Sequence, residues 1–170
     1  MPIALRSPAA LLRFFLVAGI GVALDLWTKA LAFSSPSLWR EPYRFIPGWL
    51  ELEAVQNQGA VFGLGQGRRI LFVTVSIGAI AFLLYLFATS GKRPVYQIYQ
   101  ILLGMLLAGV LGNLYDRMMF GYVRDMIHAV PQWPKFFPWV FNVADTLLSS
   151  GVTLMILYNL ISEHLRKKEK

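Results

Sequence analysis

The sequence predicts an all-α membrane fold, four transmembrane helices with a small β-sheet in the first outer loop, and three observations carry that expectation. Of 170 residues, 56% are hydrophobic and only 15% charged, whereas soluble domains average about a quarter charged. The apolar residues gather into four runs of the length that crosses a hydrocarbon core, roughly 20 helical residues. The longest polar connection carries a strand pattern instead of a bare linker.

The first run, Leu11 to Phe33, follows Arg6 and Arg13 as a secretory signal would. Asp25 and Lys29 stand where a small-residue cleavage site belongs, so it is read as a retained span. The second, Ile70 to Thr89, contains no charged residue. The third and fourth are Val95 to Tyr115 and Val143 to Ser162. Residues 1–170 thus form one integral membrane domain, with outer loops over 34–69 and 116–142.

Lys and Arg divide equally between the two sides, so orientation rests on density. The inner group occupies three short segments, including Arg166, Lys167, Lys168 and Lys170 at the end of the chain. Short positively charged segments favour the cytoplasmic side. All five tryptophans, Trp27, Trp39, Trp49, Trp133 and Trp139, then fall at or beyond the outer helix ends, as an interfacial belt requires. Both termini are expected to be cytoplasmic. The net charge of +7 comes without a basic stripe interleaved with aromatics, so nucleic acid is not the expected partner; membrane lipid is.

In the first outer loop, Leu50-Glu51-Leu52-Glu53-Ala54 alternates with the period of a half-buried strand. Gly59, Gly63, Gly65 and Gly67 close that loop and imply tight turns. The second outer loop carries Pro131, Pro134 and Pro138 among Trp133, Phe136, Phe137 and Trp139, and is expected to be irregular and to lie along the interface.

Seven of the nine acidic residues lie on the outer side. Asp25 and Lys29 have the i,i+4 spacing of a salt bridge, with the Lys stem expected to snorkel. Asn113, Asp116 and Arg117 close the third span, either as a polar helix terminus or as side chains that grip a substrate backbone or position a carboxylate. Asp125 follows that helix and Asp145 opens the fourth. As structural residues they read as a loop carboxylate paired with Arg124 and a first-turn acid favoured by the helix dipole. As a pair at one membrane face, they read as an acid and a base, because two adjacent carboxylates do not both ionise readily. A transporter or proton relay is the rival, although its charged groups belong nearer the midplane. His128 and His164 are too far apart to share a metal, and His128 reads as incidental. Ser149 and Ser150 have no histidine partner. With no cysteine, thiol catalysis is excluded.

Five segments in order, Asp25-Leu26-Trp27-Thr28-Lys29, Gln56-Asn57-Gln58-Gly59-Ala60-Val61-Phe62, Gly112-Asn113-Leu114-Tyr115-Asp116-Arg117, Val123-Arg124-Asp125 and Phe141-Asn142-Val143-Ala144-Asp145, resemble the bacterial lipoprotein signal peptidase family (signal peptidase II). The resemblance implies an aspartyl endopeptidase of the inner membrane, without metal or organic cofactor, and the chain is expected to be a monomer. Its substrates would be diacylglyceryl-modified prolipoproteins, cut just before the lipidated cysteine at the outer face. Carried over by motif, Asp125 and Asp145 become the catalytic dyad. Asn57, Gly59, Asn113, Arg117 and Asn142 become the surround that orients substrate and carboxylates, and Asp25, Lys29 and Asp116 remain mainly structural. Leu26 and Arg124 depart from the family pattern, and Arg124 is expected to point away from the dyad toward lipid phosphates. The first-loop sheet would cover the substrate, with Phe62 against acyl chain.

Overall fold

The computed structural model describes residues 4–59, 67–91, 95–129 and 139–168. Phe62, Gly63, Gly65, Trp133 and the prolines Pro131, Pro134 and Pro138 lie outside them. Of four long helices, α1 (Pro8–Ser34), α2 (Arg69–Thr89), α3 (Val95–Met119) and α4 (Val143–Lys168), the first two are joined through strands β1 (Tyr43–Ile46) and β2 (Leu50–Asn57) and the last two through β3 (Val123–Ala129) and β4 (Val140–Phe141). All four helices are long and apolar enough to cross a membrane.

Helix α3 is the central one: 61% of its apolar window is buried, against 28% for α1 and 11% each for α2 and α4. Leu12, Phe15, Leu16 and Ile20 of α1, Val75 and Phe82 of α2, and Leu154 and Ile156 of α4 are exposed. Apolar exposure on this scale is what lipid-facing surfaces present. Where α1 meets α3, size decides the packing. A Cβ on Gly104 would press on the Phe14 carbonyl, one on Gly21 would meet Ala108, and one on Gly112 would overlap the Asp25 carboxylate. Gly104, Ala108 and Gly112 therefore form a small-residue stripe that lets two backbones approach. At the Gly104 end of the stripe, Phe14 stacks on Phe87 with ring centroids 4.1 Å apart.

At its start α1 is capped by Ser7, whose Oγ accepts from Ala10 N, with Pro8 in the first turn. Helix α3 runs to Met119, one turn past the expected end at Tyr115, and places Asp116 and Arg117 inside the helix. Nothing between Tyr115 and Met119 breaks helical geometry. The chain turns at Gly121, whose φ of +85° is accessible at low cost only without a side chain.

The sheet expected in the loop after the first span exists, but it draws on both the α1–α2 and the α3–α4 connections. Its order is β1-β2-β3-β4, antiparallel throughout. The second loop is not irregular over Val123–Ala129. Strand β3 is buried on both faces over Val123 to Met126, so it shows no alternation of apolar and polar residues that a sequence reading could detect.

The stripe yields a stability prediction. Gly112→Ala forces the Asp25 carboxylate to shift and lowers stability by about 1–3 kcal/mol. Gly78→Ala, where a Cβ meets nothing within 4 Å, leaves it unchanged or raised. Thermal unfolding of the two variants in detergent compares them.

Candidate active site

The N-terminus of α4 is built from Asn142 and Asp145. Asn142 Oδ1 accepts from Asp145 N at 2.9 Å, and Asp145 Oδ2 accepts from Asn142 N at 3.3 Å. This is a reciprocal capping arrangement with aspartate in the position usually held by glutamate. The side-chain amide of Asn142 has a second end. Its Nδ2 donates to Asp125 Oδ1 at 2.6 Å and is 3.2 Å from Asn113 Oδ1.

Asp125 therefore sits beside Asp145, held by the residue that caps Asp145's own helix. It is on strand β3 rather than in a loop, and Arg124 is not its partner. Its other oxygen, Oδ2, accepts from Asn57 Nδ2 at 2.9 Å. Asn57 is the last residue of β2, and its Oδ1 accepts from Gly59 N at 2.9 Å, which leaves the NH2 end facing Asp125. Arg117 then holds Gly59 in place by donating to its carbonyl at 3.1 Å. Asp145 Oδ1 accepts from Asn113 Nδ2 at 2.7 Å. Three asparagine amides thus present N–H groups to two carboxylates.

Behind the pair lies a fully buried charge cluster. Lys29 Nζ is 2.7 Å from Asp25 Oδ2 and 3.2 Å from Asp116 Oδ2, and it donates to Asn113 Oδ1 at 3.0 Å. The expected salt bridge with Asp25 is present, but the Lys29 stem does not snorkel; the ammonium turns inward with no exposure. Asp25 Oδ1 accepts from Ala144 N at 2.8 Å, which ties α1 to the first turn of α4.

Arg124 points away from Asp125, but not toward lipid phosphates as expected. Its Nε and Nη2 donate to Asp116 Oδ1 at 3.0 and 2.8 Å, and its backbone N–H donates to Asp116 Oδ2 at 2.9 Å. The guanidinium also lies over the Phe120 ring, 4.4 Å from its centroid. A buried carboxylate one helical turn from the end of α3 is a stronger attraction than a solvated headgroup. His128 is on β3 as well, with Nδ1 2.8 Å from Glu53 Oε1. Among the described residues no group of three or more His, Asp or Glu side chains is arranged to hold a metal ion.

Residues 17–161 match the model of the family described as signal peptidase (SPase) II. The chain belongs to the signal peptidase II family. A lipoprotein signal peptidase of Enterococcus faecalis is 35% identical over 94% of this chain and 95% of its own. One of Halothermothrix orenii is 37% identical over 85% and 92%. Among solved structures, a bacterial membrane enzyme determined in meso at 2.3 Å resolution superposes with a TM-score of 0.79, at 30% identity over 91% of each chain. A second, determined in meso at 1.9 Å, superposes at 0.74. Signal peptidase II membership makes the chain a multi-pass membrane peptidase.

Burial pushes the Asp125 carboxyl up from 3.8 to about 7, with the negative charge of Asp145 adding to the rise and the Asn57 and Asn142 hydrogen bonds opposing it. The folded protein therefore holds this proton more tightly than the unfolded chain, and stability falls as pH rises from about 4 to about 7, then levels. Melting temperature measured across that range shows the decline, and Asp125→Asn flattens it.

Proposed function

We propose that the chain is an aspartyl endopeptidase of the bacterial inner membrane that removes signal peptides from prolipoproteins, cutting just before the diacylglyceryl-modified cysteine. The observation that carries this reading is the single Asn142 residue donating to both Asp125 and Asp145. It makes the two carboxylates neighbours at one membrane face, each fed by amide donors.

In this reading Asp125, whose carboxyl is pushed up by burial, is the member of the pair that carries the proton in the reactive form. Asp145, in the first turn of α4 where the helix dipole favours an anion, is the base. Asp145 takes a proton from water as the water oxygen bonds to the scissile carbonyl carbon. Asp125 gives its proton to the carbonyl oxygen, which forms a neutral tetrahedral intermediate. The intermediate then collapses. The C–N bond breaks, the proton on Asp145 passes to the leaving nitrogen, and one hydroxyl proton returns to Asp125.

The placement suits a lipidated peptide. Both carboxylates lie where α3 has ended and α4 begins, so a scissile bond there leaves the acyl chains of the cysteine free to enter the bilayer. Register puts Tyr43, Leu52, Ile127 and Phe141 in one row across all four strands. Ile127 is two residues from Asp125, so the row shares its face of the sheet. An apolar row beside the dyad is a fitting bed for the apolar end of a signal peptide. In the inner membrane, with both termini cytoplasmic, the sheet faces outward.

Asp125→Asn and Asp145→Asn are each expected to lower kcat about 10²–10⁴-fold, the range of a lost general acid or base. The assay follows the mobility shift of a diacylglyceryl-modified prolipoprotein with purified enzyme; wild-type cleavage by both variants would sink the dyad. Orientation has a separate readout, because the chain carries no background thiol. Cysteine in place of Ser37 is expected to react with an impermeant maleimide in intact spheroplasts, and protection there would reverse the topology.

A further inference from the structure

We propose that Lys29 is a positioning residue for this dyad, an inference that rests on the aspartyl reading: its ammonium holds Asn113 Oδ1 and so turns the amide's NH2 onto Asp145. An asparagine side chain fits its site nearly as well in either flip, and only its partners select one. Lys29 can only donate. At 3.0 Å from Asn113 Oδ1 it requires oxygen at that end, and Asn142 Nδ2 reinforces the choice at 3.2 Å. The nitrogen end then meets Asp145 Oδ1 at 2.7 Å.

The ion pair with Asp25 alone does not account for this geometry. An ammonium has three hydrogens, and Lys29 has three partners: Asp25, Asp116 and Asn113. Two buried cations, Lys29 and Arg124, face two buried anions, Asp25 and Asp116. The cluster is balanced without Asn113, yet the third hydrogen goes to that neutral amide, on the side of the dyad. The groups packed around Lys29 are Asp25 on its own helix, Asn113 and Asp116 on α3, Arg124 reached through Asp116, and Asp145 reached through Asn113. Arg117 and Asp125 complete the nearby charges.

Removing Lys29 by itself would leave Asp25 and Asp116 against one cation. The test therefore uses full-length protein with the charge kept balanced: Asp25→Asn combined with Lys29→Met, and Asp25→Asn combined with Lys29→Gln. Both doubles carry the same charge, and only glutamine keeps an N–H for Asn113. Relative to Asp25→Asn alone, the methionine double is expected to melt at a similar temperature with KM nearly unchanged and kcat about 10²-fold lower, the size of a misplaced catalytic group. The acid limb of its pH–kcat profile moves to higher pH, because a cation favouring ionised carboxylate is gone. Glutamine is expected to recover about 10-fold of the lost kcat by restoring orientation.

A methionine double that folds and matches Asp25→Asn in kcat and pH profile overturns the proposal, as does equal activity of the two doubles. If the methionine double does not fold, the glutamine double carries the test through the same acid limb, and an unmoved limb overturns it. Failure here with inactive Asp125→Asn and Asp145→Asn leaves the dyad standing. Cleavage by those two single variants removes both readings together.

Discussion

The side-chain amide of Asn142 is the point on which the site depends. Its oxygen caps α4, and its nitrogen reaches Asp125 on the sheet and Asn113 on the central helix. One planar group therefore fixes the relative position of a strand, a helix end and a second helix. In a low-dielectric surround such hydrogen bonds are stronger than in water, and an unmet partner costs more. That asymmetry selects one arrangement over alternatives that differ by small shifts.

Packing and electrostatics are joined one layer deeper. Four buried charges are tolerable only when each is matched and hydrogen-bonded, because removing one partner of a buried pair costs several kcal/mol. Lys29, Arg124, Asp25 and Asp116 meet that condition with no net charge. The match needs α1 and α3 nearly in backbone contact, and Gly112 provides it, since a Cβ there would occupy the place of the Asp25 carboxylate. A small-residue stripe that looks like ordinary membrane-helix packing thus sets the distance over which the charge cluster closes.

Much of the fold was readable from local pattern. Hydropathy runs located the four spans, and the alternation from Leu50 to Ala54 located β2. The i,i+4 spacing of Asp25 and Lys29 gave their salt bridge. What local pattern does not carry is partnership across the chain. Asn57 meets Asp125 over 68 residues and Lys29 meets Asn113 over 84, and neither separation leaves a periodic trace. Strand β3 leaves no such trace because Arg124 and Asp125 are buried on opposite faces, which erases the contrast that periodicity needs. The ordered motifs named Asn57, Asn113 and Asn142 but not the direction of each amide, and that direction is what a carboxylate responds to.

Strand alternation explains how Arg124 and Asp125 coexist. Neighbours on a strand point to opposite faces, so Asp125 turns to Asn142 while Arg124 turns to Asp116. A slip of one residue would exchange them and set a guanidinium among the asparagines. Two features oppose the slip. Gly121, in its left-handed conformation, fixes where the chain leaves α3. The backbone N–H of Arg124 is held by Asp116 Oδ2, while the side chain of the same residue is held by Oδ1. Asp116 thus binds both the backbone and the charge of Arg124, and pins the register that delivers the next residue, Asp125, to the side of Asp145. A carboxylate that touches neither Asp125 nor Asp145 thereby helps to set where Asp125 stands.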